Sequence, residues 1–232
     1  MSILKGKGVL LSIQRNLLVE LGKINETSFF CLTGGTALSE FYLAHRRSYD
    51  LDLFTSELEL ILPFTKALEE KLFEEQYTFK TTRRFESFVE YEVEKKGEST
   101  ILHFAYDSPF RLEEPQPSEY GIKVNDYRDL VADKLLTFFG RWKHRDAVDL
   151  FFILKNEPFK DLIRMAKHKD PGFDLYWFSV ALKEVDQFPD EISQWPVDML
   201  VELNVKQLKD KFRNLSRGVM NKIGMGRSED EI

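Results

Sequence analysis

The stretch Phe29 to Phe54, FFCLTGGTALSEFYLAHRRSYDLDLF, decides how this chain folds. An apolar run from Phe29 through Phe30 and Cys31 to Leu32 feeds Gly34 and Gly35, a helical pattern follows, and a second apolar run carries Asp50 and Asp52. That order predicts strand, glycine turn, helix, strand. Two apart on a strand, Asp50 and Asp52 project from one face, while Leu51 and Leu53 project from the other into a core. Two carboxylates on one face repel each other, and Mg²⁺, a hard cation that takes oxygen ligands, is the ion best suited to sit between them. Gly34 and Gly35 free the backbone to take positive φ and let a ligand approach closely. Amides opening a helix at Thr36 suit phosphate, because unpaired N–H groups and the helix dipole both favour an anion. A helix from Thr36 to about His45 advances roughly 15 Å at ~1.5 Å per residue, and a return strand would bring the aspartates level with the turn. Singly, a glycine pair before a helix and an Asp-x-Asp pair on a solvated strand edge are both common. Their order and spacing carry the reading.

These residues, GGTAL followed by HRRSYDLDLF, resemble the nucleotidyltransferase signature of the AbiEii/AbiGii toxin family, a branch of the polymerase-β-like nucleotidyltransferase superfamily. The resemblance implies that Gly34, Gly35 and Thr36 hold the phosphates of an NTP and that Asp50 and Asp52 bind Mg²⁺, with Mn²⁺ as the alternative ion. Arg46 and Ser48 match the family's Arg-x-Ser lead-in and are grouped with the nucleotide-binding residues. Thr36 stands where many members have Ser, which keeps the hydroxyl. A second match is DLVADKLLTFFGRWKHRDAVDLFFIL, with Lys134 on one helix and Arg145, Asp146 and Asp149 on the next. By resemblance Lys134 reaches the phosphates and the Asp146/Asp149 pair belongs to the active cleft. The structural alternatives are a solvated face for Lys134, and for the aspartates an ion pair with Arg141 or Arg145.

The superfamily usually places a third carboxylate on a later strand, and here ILHFAYD carries His103 at that point. Neutral imidazole binds many divalent metals, so His103 is a candidate ligand or base, although Mg²⁺ prefers oxygen. Asp107, on the same strand face, could substitute. The alternative for His103 is a histidine capping the sheet edge.

Composition sets the bounds. A chain of 232 residues can bury a sizeable core, and 43% hydrophobic with 31% charged residues is ordinary for a globular protein. A net charge of −6 argues against nucleic-acid binding by bulk charge, though not against a local basic groove. The opening residues are interrupted by Lys5, Lys7, Arg15 and Glu20, unlike a signal peptide. No run approaches the ~20 apolar residues of a membrane span. A single cysteine, Cys31, forbids an internal disulfide and reads as an inert core thiol. A cytoplasmic protein with no membrane partner is expected.

Along the chain, residues 8–22 and 60–75 read as amphipathic helices, with the second as a crossover. Strands are expected at 77–83, 87–93 and 100–106, with Lys95, Lys96 and Gly97 turning the chain between the last two. Val89, Tyr91 and Val93 alternate with Glu90, Glu92 and Glu94, as in a half-exposed strand. Pro109 to Pro117 is the candidate boundary between a head at 1–114 and a mainly helical region at 115–232 that completes the active cleft. Helices are expected at 126–139, capped by Gly140, at 144–154, and from 159 to 183 with a break at Pro171–Gly172. Tyr176, Trp177, Phe178 and Val180 read as core. Residues 184–202 are acidic and 205–222 basic, a strip that could track an RNA backbone but more often is simply solvated. The terminal GRSEDEI reads as a flexible acidic tail.

The expected fold is α+β: a polymerase-β-like nucleotidyltransferase head, a mixed sheet with flanking helices, followed by a helical C-terminal region. The expected activity is metal-dependent transfer of an NMP from an NTP to an acceptor hydroxyl on an RNA or tRNA end or on a protein. Asp50, Asp52, Lys134, Asp149 and His103 are the candidate catalytic residues. Family analogy adds the role of toxin in a toxin–antitoxin or abortive-infection system, with a cognate antitoxin as partner. The alternative is a non-catalytic module that binds a nucleotide or a partner through a degenerate site.

Overall fold

The computed structural model describes residues 3–225, so the GRSEDEI tail lies outside the described residues. The chain divides into two compact units, Met1–Leu130 and Val131–Ile232.

The first unit is built on a seven-stranded mixed sheet of order β3-β4-β5-β2-β1-β7-β6. Its strands are β1 (Cys31–Thr33), β2 (Asp50–Thr55), β3 (Thr78–Phe85), β4 (Phe88–Lys95), β5 (Glu98–Tyr106), β6 (Gln116–Pro117) and β7 (Lys123–Val124). β2 runs antiparallel to β1 and parallel to β5. Alternation separates the sheet's two faces. Leu51, Leu53, Val89, Tyr91, Leu102 and Phe104 are fully buried, and α1 (Ser12–Leu21) and α3 (Ile61–Glu74) pack on β4 and β5. Phe30, Phe64 and Phe104 form an aromatic cluster with centroids 4.5 to 5.7 Å apart. The intervening residues Asp50, Asp52, Glu90, Glu92, Ile101 and His103 occupy the opposite face, which is intermediate or exposed.

The proline-spaced connector lies inside the first unit rather than at its edge. β6 and β7 extend the sheet beyond it, and the Asp129 carboxylate accepts from the amides of Leu112 and Glu113. The division falls instead within α4 (Tyr127–Arg141). That helix continues through Gly140. It is Trp142, with φ 46°, that takes the left-handed conformation after it, so the C-terminal cap expected at Gly140 is not formed there.

The N-terminal segment is tied down by one buried acid. Glu40, fully buried, accepts from the amides of Val9 (2.6 Å), Leu10 (3.1 Å) and Gly8 (3.3 Å) and from the Tyr120 hydroxyl (3.0 Å). Burial and this carboxylate together push the Tyr120 hydroxyl up to about 12.

The second unit is helical: the rest of α4, α5 (His144–Asn156), α6 (Phe159–Lys169), α7 (Leu175–Glu184) and α8 (Val205–Gly224). Phe138, Phe178 and Phe212 meet in its core. Of the aromatic group on α7, Phe178 is buried but Tyr176 and Trp177 are 41% and 60% exposed, because adjacent helical positions cannot all face one core. The basic last helix is partly neutralised from within. Lys209 donates to the Phe188 carbonyl and to Asp190, and Arg213 pairs with Asp186 and Asp210.

Glu40→Ala removes the acceptor of three backbone donors, and a hydrogen bond to a charged group contributes ~1.5–3 kcal/mol. Chemical denaturation should show the first unit destabilised by about 3 kcal/mol or more, and Glu40→Gln by less. A change within experimental error would mean that the segment is held by its apolar contacts alone.

Candidate active site

Thr33, the last residue of β1, is the register partner of Asp52, so the diglycine turn begins directly beside the aspartate strand. Gly34 has φ +72°. A β-carbon at Gly34 would lie 2.1 Å from Asp52 Oδ2, and one at Gly35 would lie 2.6 Å from Arg46 Nη2 and 2.9 Å from Ser48 Oγ. Gly34 is therefore favoured both by its left-handed conformation and by the Asp52 carboxyl against it, and a side chain at residue 35 would have to displace the Arg46 guanidinium and the Ser48 hydroxyl. The expected helix opens at Gly34, α-helical over α2 (Gly34–Ala37) and continuing as a π-helical turn over Leu38–Leu43, and Ala44 ends it in the left-handed region. A π-turn inside a helix often marks a functional site.

Most of the predicted nucleotide-binding group is brought together here, with its polar atoms partly spent on the fold. Thr36 is 2% exposed, and its hydroxyl donates to the Asp50 carbonyl, pinning turn to strand. The Ser39 hydroxyl donates to the Arg46 carbonyl, and Gln14 Nε2 donates to the Ser48 carbonyl at 3.0 Å. Arg46 is 4% exposed, with Nη1 on the Arg47 carbonyl at 2.9 Å. The guanidinium of Arg46 thus lies against the turn as a buried cation.

Asp52 and His103 are register partners on β2 and β5, and His103 and Glu90 on β5 and β4. His103 Nδ1 is 2.7 Å from Asp52 Oδ1, and Nε2 is 3.0 Å from Glu90 Oε2. An ionised carboxylate only accepts, so the geometry calls for a proton on each ring nitrogen, an imidazolium. Burial works to lower the His103 pKa, but Asp52, Glu90 and Asp50 outweigh it and hold the ring above the ordinary histidine value. Glu90 is held near 2, first by Arg83 and then, against burial, by Thr82 and His103. Both ring nitrogens of His103 are thus engaged by the two acids, the position of a bridge between them. It does not cap an edge, since β5 lies inside the sheet. Asp107 stands apart, beyond the end of β5, paired with Arg111 at 3.3 Å.

Glu90 is the residue the sequence reading missed. The signal was present in the turn. Lys96 and Gly97 both have positive φ, 53° and 79°, forming a two-residue hairpin that pairs Lys95 with Glu98. Counting back from that pair sets Glu90 opposite His103.

In the second unit Lys134 and Asp149 meet at 2.7 Å, with side chains 8% and 0% exposed. Lys134 is thus not on a solvated helix face. Asp146, also buried, takes a two-pronged hydrogen bond from Arg141 at 2.8 and 3.0 Å, the ion pair weighed as its structural alternative.

Among the described residues, no three His, Cys, Asp or Glu side chains converge as a metal cage. Mg²⁺ does not need one, since it is commonly held by one or two carboxylates together with substrate phosphates. Asp50 and Asp52, two carboxylates on one sheet face with Gly34 against Asp52 Oδ2, fit that mode.

The model of the nucleotidyl transferase AbiEii toxin family, a type IV TA system, matches residues 16–190. The chain belongs to the AbiEii nucleotidyltransferase toxin family. That match runs well beyond the two motif blocks, and it makes the protein a nucleotidyltransferase of the toxin–antitoxin type. An uncharacterised Aquifex aeolicus relative is 26% identical over 189 residues, covering 76% of this chain and 82% of that protein. Two solved structures share the AbiEii-family fold. One is a Helicobacter pylori protein provisionally named a nucleotidyltransferase, with TM-score 0.62, 17% identity and coverage of 94% and 96%. The other is MenT4, a nucleotidyltransferase toxin of Mycobacterium tuberculosis H37Rv, with TM-score 0.58, 17% identity and coverage of 93% and 91%. No helix among the described residues is long and apolar enough to cross a membrane.

Two outcomes follow for this AbiEii-family protein. Gly34→Ala should cost about 1–2 kcal/mol for the left-handed residue and reduce activity by much more than that stability loss explains, because the new methyl displaces Asp52; equal activity per folded molecule would contradict this. Lys134→Met alone should destabilise the second unit, by up to ~3–5 kcal/mol, by removing the cation 2.7 Å from the fully buried Asp149 carboxylate. The double variant Lys134→Met/Asp149→Leu should recover most of that in denaturation. Its transferase activity then separates a purely structural pair, which leaves activity intact, from one that serves the reaction.

Proposed function

We propose that the protein transfers a nucleoside monophosphate from an NTP to a hydroxyl at an RNA end, a tRNA end in particular, or on a protein, and that it does so as a toxin countered by a cognate antitoxin. The observation that carries this reading is the contact of Gly34 with Asp52 Oδ2, which sets a phosphate-type turn against a metal-type carboxylate. Asp50 and Asp52 would hold Mg²⁺, or Mn²⁺ in its place. Bound there, the ion would neutralise phosphate charge and polarise the α-phosphoryl group.

The chain's own residues do the positioning. The free backbone of Gly34 and Gly35 lets phosphate oxygens come close, and the buried Arg46 cation behind Gly35 favours that charge. The acceptor oxygen attacks the α-phosphorus while the bond to the departing pyrophosphate breaks, and the hydroxyl proton passes to a site carboxylate. His103 keeps one oxygen of Asp52 fixed, so the other oxygen keeps its aim toward the turn. This is positioning plus electrostatics, which is what phosphoryl-type transfer asks of a protein.

The test is incubation with Mg²⁺ or Mn²⁺, each α-labelled NTP and total cellular RNA, beside Asp52→Asn. Label should enter RNA or protein and fall by at least about a hundredfold in the variant. Label only in free NMP would point to hydrolysis, and nucleotide binding without product under either metal to a sensor.

A further inference from the structure

The same sheet face that carries the carboxylates has a second feature. A surface cavity of about 520 Å³ opens over β5, β4 and β3, lined by Tyr49, Ile101, Glu92, Lys80, Ser99 and Glu94 among others. Register fixes where it lies. Asp50 pairs with Ile101, Ile101 with Glu92, and Glu92 with Lys80, so one row of four residues runs from the first aspartate into the cavity. The row beside it is Asp52, His103 and Glu90. With strands about 4.8 Å apart, the middle of the cavity is roughly 5–10 Å from the aspartate strand. The diglycine turn follows β1, on the other side of that strand.

We propose that this cavity is the acceptor subsite and that its occupant is the terminal ribonucleoside of an RNA. The inference rests on the transfer reaction proposed above and names its acceptor. In a displacement at phosphorus the attacking and leaving oxygens lie on opposite sides. If the triphosphate lies at the turn on the β1 side of the aspartates, the attacking hydroxyl must arrive from the β5 side, where the cavity is. Its lining fits a nucleoside rather than a phosphate. Ile101 and Tyr49, 36% and 48% exposed, give an apolar floor and an aromatic ring for stacking. Glu92 and Glu94 repel anions but accept from ribose hydroxyls and exocyclic amino groups, and Lys80 supplies one donor opposite Glu92. A peptide acceptor would offer a serine, threonine or tyrosine hydroxyl without the second hydroxyl or amino edge that the acids are suited to receive.

Two measurements test it. In transfer assays with total cellular RNA, Tyr49→Ala and Glu92→Lys should each raise the KM for RNA at least tenfold and leave the KM for NTP unchanged. If both KM values rise together, the cavity takes the base of the NTP; if neither changes, or if the label resides on protein, the assignment is wrong. Binding of a 5′-fluorescein-labelled RNA hexamer with free 3′-terminal hydroxyls, read by anisotropy without NTP, decides the matter even if no transfer is found. Wild type and Asp52→Asn should bind alike, the two cavity variants at least tenfold more weakly, and periodate oxidation of the RNA end should weaken wild-type binding. Absent binding, or binding that the cavity variants do not alter, overturns the proposal, whereas failure of transfer with cavity-dependent binding intact overturns only the reaction.

Discussion

Asp52 is gripped on one oxygen and aimed by the other. Oδ1 lies on the His103 ring, and Oδ2 stands where any side chain at residue 34 would have to be. Everything else in the first unit is arranged so that this can hold. The diglycine cannot shift, because Thr36 is bonded to the Asp50 carbonyl and Ser39 to the Arg46 carbonyl. His103 cannot turn, because Glu90 holds its other nitrogen and Arg83 holds Glu90. The chain of contacts runs across three adjacent strands, so its precision comes from the sheet's register and not from any loop. A carboxylate in the position of His103 would have added a third negative charge beside Asp50 and Asp52. The His103 ring instead bridges Asp52 and Glu90, and Arg83 pairs with Glu90 beyond it, which lets the acids stand close.

The sheet bears this charged face because its other face is so apolar. Leu51, Leu53, Val89, Tyr91, Leu102 and Phe104 alternate with the polar residues and are sealed beneath α1 and α3. A slip of one residue would bury Asp50 and Asp52 in β2, Glu90 and Glu92 in β4 or His103 in β5, and would expose the apolar residues that alternate with them, which fixes register strongly. Catalytic geometry and core packing are therefore one constraint read on two faces.

Much of this was legible. The alternation around Asp50 and Asp52 and the glycines before a helical pattern placed the turn and strand correctly, since both depend on local chemistry. What was not legible depended on partners distant in the chain. Glu90 looked like the solvent side of a strand because its meaning lies in His103 across the hairpin. Gly140 looked like a cap because a glycine after an apolar run usually is one, yet packing carried the helix past it. The proline-spaced connector looked like a boundary because its composition is that of a linker, while short strands after it joined the sheet. Lys134 read as a solvated or phosphate-binding lysine, and its burial against Asp149 could not be seen without the helix pairing.

Charge bears on how such a protein could recognise RNA. The net charge is −6, and the basic last helix spends Lys209 and Arg213 on the acidic segment before it and on its own Asp210. Affinity built on phosphate contacts requires many free cations and falls steeply with salt. With Lys209 and Arg213 so committed, that helix offers fewer cations to RNA than its sequence suggests, and contacts to a terminal nucleoside, stacking and hydrogen bonds at a chain end, would carry a larger share of any binding. Such contacts do not grow with the length of the nucleic acid. They would favour a free 3′ end over the interior of a strand, which is the discrimination an enzyme needs if it modifies ends and must not be held along the length of every RNA it meets.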